Sequence, residues 1–578
     1  LLNGAVRDSA ELERVLNLPR RKYDVSELDA LARDLTPLLK REPGSMALRR
    51  LQALALHDIG VCGGGFCPID VGGGKTLISF MAAHVLGARR PMLLLPAGLI
   101  QKTKNDREKL ITDGWLIPTH VRLFSYEMLG RLQSSGILDV WAPDLIIADE
   151  VQKLKSEDAA VTRRVVRYMD AHPDTKFVAL SGTIMDRSIL EFAHILRWCL
   201  KGNAPIPLTN NDLAEWASAL DDKVDELTRY EPGPLVRLAT SDDAGDELTR
   251  ARKGFRRRLI ETPGVIASTE GGEHVGASIY VRAIQYPLKR TTIAHFARLR
   301  SEMLTPDDWQ LTQPMEVWAH ARELALGLTY AWDPHPPKVW RDRRREWCAF
   351  VRDVLARSNT LDSEAQVAAA CDAGELPSDA LTAWREVKDT FTPNVVPIWQ
   401  DDGPLKVCAE WMRKPGIVWT EHALFAERLA RETGAKYYGR KGLAEDGEFI
   451  DDADASRAII ASIDANREGR NLQTKWNRNL IVSPPERPGI WQQTLGRTHR
   501  PGQTADEVIV DVFLGCLEHA NAWRRALSGA QAVRDTTGAE QKLLLADPDW
   551  PSDDEIAMWR DARWVAPPPP KFEIPTAA

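Results

Sequence analysis

The run Pro68-Ile69-Asp70-Val71-Gly72-Gly73-Gly74-Lys75-Thr76, with the apolar stretch 77–85 behind it, constrains this chain more than any other segment. Three successive glycines let the backbone curl so that several N–H groups converge on one spot, a path that Cβ atoms would obstruct. A lysine then supplies a point charge, and a threonine hydroxyl can hold a magnesium ion. Residues 77–83 read as a helix whose N-terminal dipole would face bound phosphates. The pattern falls short of the full G-x-x-x-x-G-K-[ST] loop, because Ile69 stands where its first glycine belongs.

Strand and helix signals alternate around this loop. Pro91-Met92-Leu93-Leu94-Leu95-Pro96 is a short apolar run ended by proline, as suits a buried parallel strand, and 121–126 is another. Leu145-Ile146-Ile147-Ala148-Asp149-Glu150 ends on two adjacent carboxylates, where a parallel strand meets a ligand crevice. Asp149 can hold magnesium through its water shell, and Glu150 can polarise an attacking water. Alone, such a pair is usually a helix cap; downstream of a phosphate loop it reads as catalytic. Residues 177–183 supply a fourth strand, whose Ser181 and Thr183 hydroxyls can relay between phosphates and a bound strand. Upstream, Gln52 sits on a helix opened by Leu48-Arg49-Arg50-Leu51. Its amide suits the edge of adenine, and a solvated helix glutamine fits the same pattern.

The second half repeats the theme at Gly416–Thr420, Ala458–Ser462 and 479–483, giving a second α/β domain over about 403–530. Its chemical stretch is Gln493-Thr494-Leu495-Gly496-Arg497-Thr498-His499-Arg500. Arg497 and Arg500 share a face on a helical turn and suit a triphosphate carrying developing charge. A loop around Gly469, in Arg467-Glu468-Gly469-Arg470-Asn471-Leu472, can meet nucleotide or strand. Between the two domains the chain reads as helical, charged and irregular. One basic cluster holds Arg256, Arg257 and Arg258, and a second, flanked by Trp340 and Trp347, holds Arg343, Arg344 and Arg345. Either cluster can grip phosphates; a solvated helix face with inward aromatics is the alternative for each.

Composition trims the possibilities. A net charge of −7, from 75 basic against 82 acidic residues, argues against a general nucleic-acid coat but leaves room for a local basic channel. Nineteen tryptophans read as core and inter-domain packing, with a few available to stack on bases. Seven scattered cysteines suggest reduced thiols, and Cys62 with Cys67 lack the second ligand pair that zinc requires. No apolar run approaches a membrane span and the opening residues lack a secretory pattern, so a cytoplasmic site (bacterial, or the host's if phage-encoded) with no membrane partner is expected. The expected organisation is an N-terminal helical extension over 1–45, a first lobe over 46–200 and a helical, Trp-rich, basic insertion over 201–402. A second lobe over 403–530 and a Pro/Trp-rich tail over 531–578 complete it.

Taken in order, the motifs resemble those of superfamily-2 helicases and, within them, the Swi/Snf-like duplex-DNA translocases of bacterial or phage type. LRRLQ is similar to the adenine-reading segment, with Leu51 in place of the usual aromatic. DVGGGKT resembles motif I, LLLPAGLI motif Ia, LFSYE motif Ib, IIADEVQKLK motif II, LSGTIM motif III, REGRNLQ motif V and QTLGRTHRPGQ motif VI. The resemblance implies an α/β fold of two RecA-like parallel-sheet lobes with a largely helical insertion. It implies an ATP hydrolase with ATP and Mg2+ in the cleft between the lobes. The implied partner is nucleic acid, double-stranded DNA foremost, and beyond it a replication, repair or transcription complex.

By the same resemblance Gln52 would contact adenine. Gly72, Gly73, Gly74, Lys75 and Thr76 would hold the phosphates, and Thr76 with Asp149 the magnesium. Glu150 would activate water, Arg497 and Arg500 would reach the γ-phosphate, and Ser181, Thr183, Gly469 and Gln493 would couple hydrolysis to strand movement. Motif II reads DEVQ rather than DEAH or DEGH, so Gln152 stands at the γ-phosphate side without an imidazole but with hydrogen-bonding capacity. A strand-separating helicase is the near alternative. A nucleotide-gated DNA-binding scaffold with little turnover is the more distant one.

Overall fold

Apolar runs too short to be buried helices, each followed by a helix, favour parallel strands joined by crossovers. The computed structural model describes residues 4–41, 44–69, 73–157, 159–182, 188–221, 224, 228–267, 277–537, 539–552 and 556. Within them β1 (Gly65–Pro68), β2 (Pro91–Leu95), β3 (Arg122–Ser125), β4 (Leu145–Asp149) and β5 (Lys176–Ser181) form one sheet. Its order is β1-β5-β4-β2-β3, and every pairing is parallel. Successive residues face opposite layers, as the two-residue strand period requires. Met92, Leu94, Ile146, Ala148, Phe177 and Ala179 join one core, while Leu93, Leu95, Leu145, Ile147, Val178 and Leu180 join the other. Helix Arg50–Cys62 leads into β1, and helix Lys75–Val85 follows it with seven consecutive buried residues, Leu77 to Ala83. Earlier, helices Ala10–Asn17 and Val25–Leu35 start at Ser9 and at a reciprocal Asp24–Glu27 capping box.

The second sheet is also wholly parallel. It takes in β6 (Ser278–Ile284), β9 (Gly416–Thr420), β10 (Tyr437–Tyr438), β11 (Ala458–Ser462), β12 (Arg478–Ile481), β13 (Glu507–Phe513) and β14 (Ala546–Asp549). The order is β10-β11-β9-β12-β13-β6-β14. A small antiparallel pair, β7 (Leu328–Trp332) with β8 (Val395–Trp399), stands apart from both sheets. Two parallel α/β sheets are thus the fold class expected from the sequence.

The chain divides into two compact units. The first comprises Leu1–Glu273, Trp347–Leu381 and Ser528–Gln541, and holds the first sheet; the second comprises His274–Glu346, Thr382–Leu527 and Lys542–Ala578. This division cuts across the expected insertion. Trp216, Phe255 and Val265 belong to the first unit's core, and Asp362 pairs with the buried Arg164 there (2.7 Å). β6, by contrast, runs beside β13 for its full length in the second sheet. Part of the expected tail is β14 at that sheet's edge, where Pro548 is tolerated because an edge strand leaves N–H groups unpaired. Among the described residues no helix is long and apolar enough to cross a membrane.

Candidate functional site

The first sheet's carboxyl edge gathers the sequence motifs. β1, β5 and β4 are neighbours, with Pro68 level with Ser181 and Leu180 level with Asp149. Adjacent strands lie about 4.8 Å apart, so the ends of β1 and β4 are separated by about 10 Å with Ser181 between them. The chain leaving β1 re-enters the described residues at Gly73; Gly72 and Thr183 lie outside them. Gly74 caps helix Lys75–Val85 in the left-handed region (φ +78°). The left-handed angle favours glycine, and a Cβ there would stand 2.0 Å from Gln52 Nε2, so the amide would have to swing aside.

Gln52, 6% exposed, is fixed against this turn: its Nε2 donates to Gly74 O (3.3 Å), and its Oε1 accepts from Arg49 N (3.0 Å). The Lys75 ammonium reaches back to Ile69 O (2.9 Å). Thr76 follows in the first helical turn and is half-buried. The result is a glycine cradle, a helix N-terminus, an ammonium and a hydroxyl in one short segment, a donor set that fits the phosphates and cation of a nucleotide.

On β4, the sheet ends at Asp149 and the backbone turns sharply at Glu150, whose φ and ψ of 55° and 50° are left-handed. A side chain is rarely found there, at a cost of roughly 1–2 kcal/mol. Surrounding bonds hold it. Tyr126 Oη donates to Asp149 O (2.8 Å), Glu150 N to Asp149 Oδ1 (3.1 Å) and Lys153 N to Glu150 O (3.1 Å). Glu150 is 9% exposed, and its carboxylate accepts from Gln152 Nε2 at Oε2 (2.8 Å). Gln152 Oε1 in turn accepts from the fully buried Ser181 hydroxyl (2.5 Å). A continuous chain Glu150–Gln152–Ser181 therefore links the ends of β4 and β5. Tyr126 was not among the expected site residues; it stands in LFSYE, but only the strand register aims its hydroxyl at Asp149.

In the second unit, Arg497 and Arg500 do converge, on one backbone oxygen. Arg470 O accepts from Arg497 Nη1 (2.9 Å) and Arg500 Nη1 (3.3 Å). Arg500 Nη1 also donates to Asn471 Oδ1 (2.6 Å), and Arg497 Nε to the carbonyl of the buried Gln493 (2.9 Å). Arg497 is only 2% exposed, so in this conformation it clamps the Arg470 loop to the 493–500 segment, and Arg500 is the more accessible guanidinium. Gly469 meets the loop's need for a positive φ (70°). His499, between the arginines, bonds Ala277 O (2.8 Å) and Lys542 Nζ (3.2 Å). Burial, with Lys542 adding to it, pushes its pKa down to about 4.

Within the first basic cluster the reading of Arg258 is corrected by its surroundings, while Arg256 and Arg257 are half-buried. Arg258 is fully buried, its guanidinium donating to Leu18 O (3.0 Å), Pro19 O (2.5 Å) and Thr262 Oγ1 (3.1 Å). Arg257 is paired with Asp243, and burial lowers the pKa of Arg256. Arg258 cannot grip a polymer; it ties the N-terminal segment to helix Glu247–Ile260. Arg343, Arg344 and Arg345 are exposed on helix Lys338–Arg357, with Arg343 paired to Glu346 (2.7 Å).

What fold and site define together is a parallel α/β protein with a glycine-capped helix N-terminus at the same sheet edge as a fixed carboxylate. No protein-family model and no curated protein matches the chain. Among solved structures it is similar to that of the Mycobacterium smegmatis helicase Lhr bound to ssDNA and AMP-PNP, at a TM-score of 0.38 and 13% identity. The match covers 88% of this chain and 53% of that one, so the chain spans about half the length of that helicase.

Proposed function

We propose that the chain is an ATP-dependent nucleic-acid motor, a duplex-DNA translocase of the Swi/Snf-like group or a strand-separating helicase. The observation that carries this reading is the Glu150–Gln152–Ser181 chain beside the Gly74-capped helix. Bound with Mg2+, ATP supplies a γ-phosphoryl group open to in-line displacement by water. Gly72, Gly73 and Gly74 offer backbone donors to its phosphates, and Lys75 neutralises their charge. Thr76 and Asp149 would hold the cation. Glu150 takes the proton of the attacking water, oriented for it by the Gln152 amide. Arg500 meets the charge that develops on the phosphoryl oxygens, and Arg497 keeps the loop around Gly469 in place.

Ser181, Thr183, Gly469 and Gln493 are assigned to coupling by the motifs in which they stand; of these Ser181 ends β5 and Gln493 lies on helix Pro488–Leu495. Support for a turnover enzyme over a nucleotide-gated scaffold comes from Glu150: a scaffold has no use for a carboxylate held in a strained conformation. The test is ATP turnover without polymer and with single-stranded DNA, duplex DNA or RNA, for the parent, Lys75→Ala and Glu150→Gln. Glu150→Gln should bind ATP yet hydrolyse it about a hundredfold or more slowly. Parental turnover in either variant refutes the reading.

A further inference from the structure

We propose that His335, backed by Trp309 and Arg341, is a stacking platform for an unpaired base of a nucleic-acid strand. The inference rests on the reading that this chain engages nucleic acid, but not on ATP hydrolysis. The rings of Trp309 and His335 are parallel to within 10°, with centroids 5.0 Å apart. The Arg341 guanidinium lies 4.5 Å from the Trp309 centroid. Three flat groups, all within the second unit, are therefore assembled in one place.

Both sides of the stack are fixed by the backbone. Thr305 N donates to Trp309 O, Trp309 N to Thr305 Oγ1 and Asp308 N to Thr305 O, each at 3.0 Å, so Trp309 is presented by a closed turn. His335 lies between Pro334 and Pro336, whose rings restrict φ on either side of it. A ligand that stacks here meets a preorganised surface and does not have to order it.

His335 stands exposed at the surface. Trp309 covers one face, no other ring contacts His335 among the described residues, and 48% of the side chain remains exposed. Core packing does not require an aromatic ring standing outward on a proline-flanked loop. A planar, weakly polar ligand fits it, and an unpaired base offers such a face, whereas duplex bases already cover one another. The neighbouring charge matches a strand's backbone. Arg345, 71% exposed, and the exposed Arg344 stand on the same helix as Arg341 and can meet phosphates. The Asp307 carboxylate, 3.8 Å from His335 Nε2, disfavours a phosphate at that edge of the ring.

The test uses the full chain without nucleotide, and the anisotropy of a labelled single-stranded oligodeoxynucleotide or a blunt duplex of the same sequence. His335→Ala should weaken single-strand binding about 5-fold or more, since base–aromatic stacking is of that size. Duplex affinity should stay within about 2-fold, and the salt dependence of single-strand binding should not change. His335→Tyr should restore binding. Parental single-strand affinity in His335→Ala, or an equal loss on both polymers, overturns the platform alone. If the parent binds neither polymer, the nucleic-acid reading falls, and the platform with it.

Discussion

Replacing Glu150 by glycine and, separately, by alanine removes the same carboxylate but treats the backbone differently. Both variants lose the bond from Gln152, so they differ only in a Cβ. At φ 55° and ψ 50° that Cβ costs roughly 1–2 kcal/mol. Glycine escapes the strain but gives back roughly 0.5–1 kcal/mol through the greater freedom of its unfolded chain. Glu150→Gly should therefore be the more stable of the two by about 0.5–1 kcal/mol. At an ordinary helical position alanine would win by about 1 kcal/mol, so the sign of the difference is diagnostic. In a calorimetric scan the gap corresponds to about 1–4 °C in the transition of the first unit. Both variants should lose ATP turnover. An alanine variant as stable as the glycine one refutes the claim that strain is stored at this carboxylate, whatever happens to activity.

Arg258→Met should destabilise the protein by roughly 2–4 kcal/mol, because the carbonyls of Leu18 and Pro19 lose their donors, and should leave the salt dependence of nucleic-acid binding unchanged. A changed salt slope would return this residue to the polymer surface. His499, held neutral with its pKa depressed to about 4, contributes stability that is complete above about pH 6.5 and is lost as pH falls through 4. Urea unfolding of parent and His499→Gln between pH 7 and 4 should show the parent losing roughly 3 kcal/mol more over that range; parallel curves refute it. Arg500→Ala should bind ATP nearly normally and lose turnover on the order of 10³-fold, and full stimulated turnover in that variant would remove Arg500 from the chemistry.

Legibility in the sequence followed the range of the interactions. The run Pro91–Leu95 is a strand because five consecutive apolar residues need cover on both faces, and nothing distant is required to see it. β6 escaped notice because its Arg282 looks out of place in a buried ladder. Only the fully buried Asp511, 229 residues away, makes it tolerable, through two bonds of 2.8 and 3.0 Å. β14 reads Ala-Asp-Pro-Asp, which carries no strand signal; edge position and pairing with β6 define it. The same division runs through the site. The placement of Gly74 and Lys75 at a helix start and of Asp149 and Glu150 at a strand end is legible because those signals are local. The roles of Tyr126, Gln152 and Arg258 depend on partners that only the fold brings within reach.

The glutamine at 152 gives the candidate site a property that an imidazole would not. Its amide donates to Glu150 Oε2 and accepts from Ser181, so both neighbours agree on one orientation of the group. An imidazole could make the same two contacts, but its hold on the carboxylate would change as it gained or lost a proton near neutrality. An amide does not titrate in that range. The amide therefore adds no titration of its own to the link from β5 to Glu150, and a displacement of Ser181 reaches the carboxylate through hydrogen-bond geometry. If Glu150 acts as the base proposed here, its hydrogen bonding answers to the position of the β5 end rather than to a proton on its neighbour.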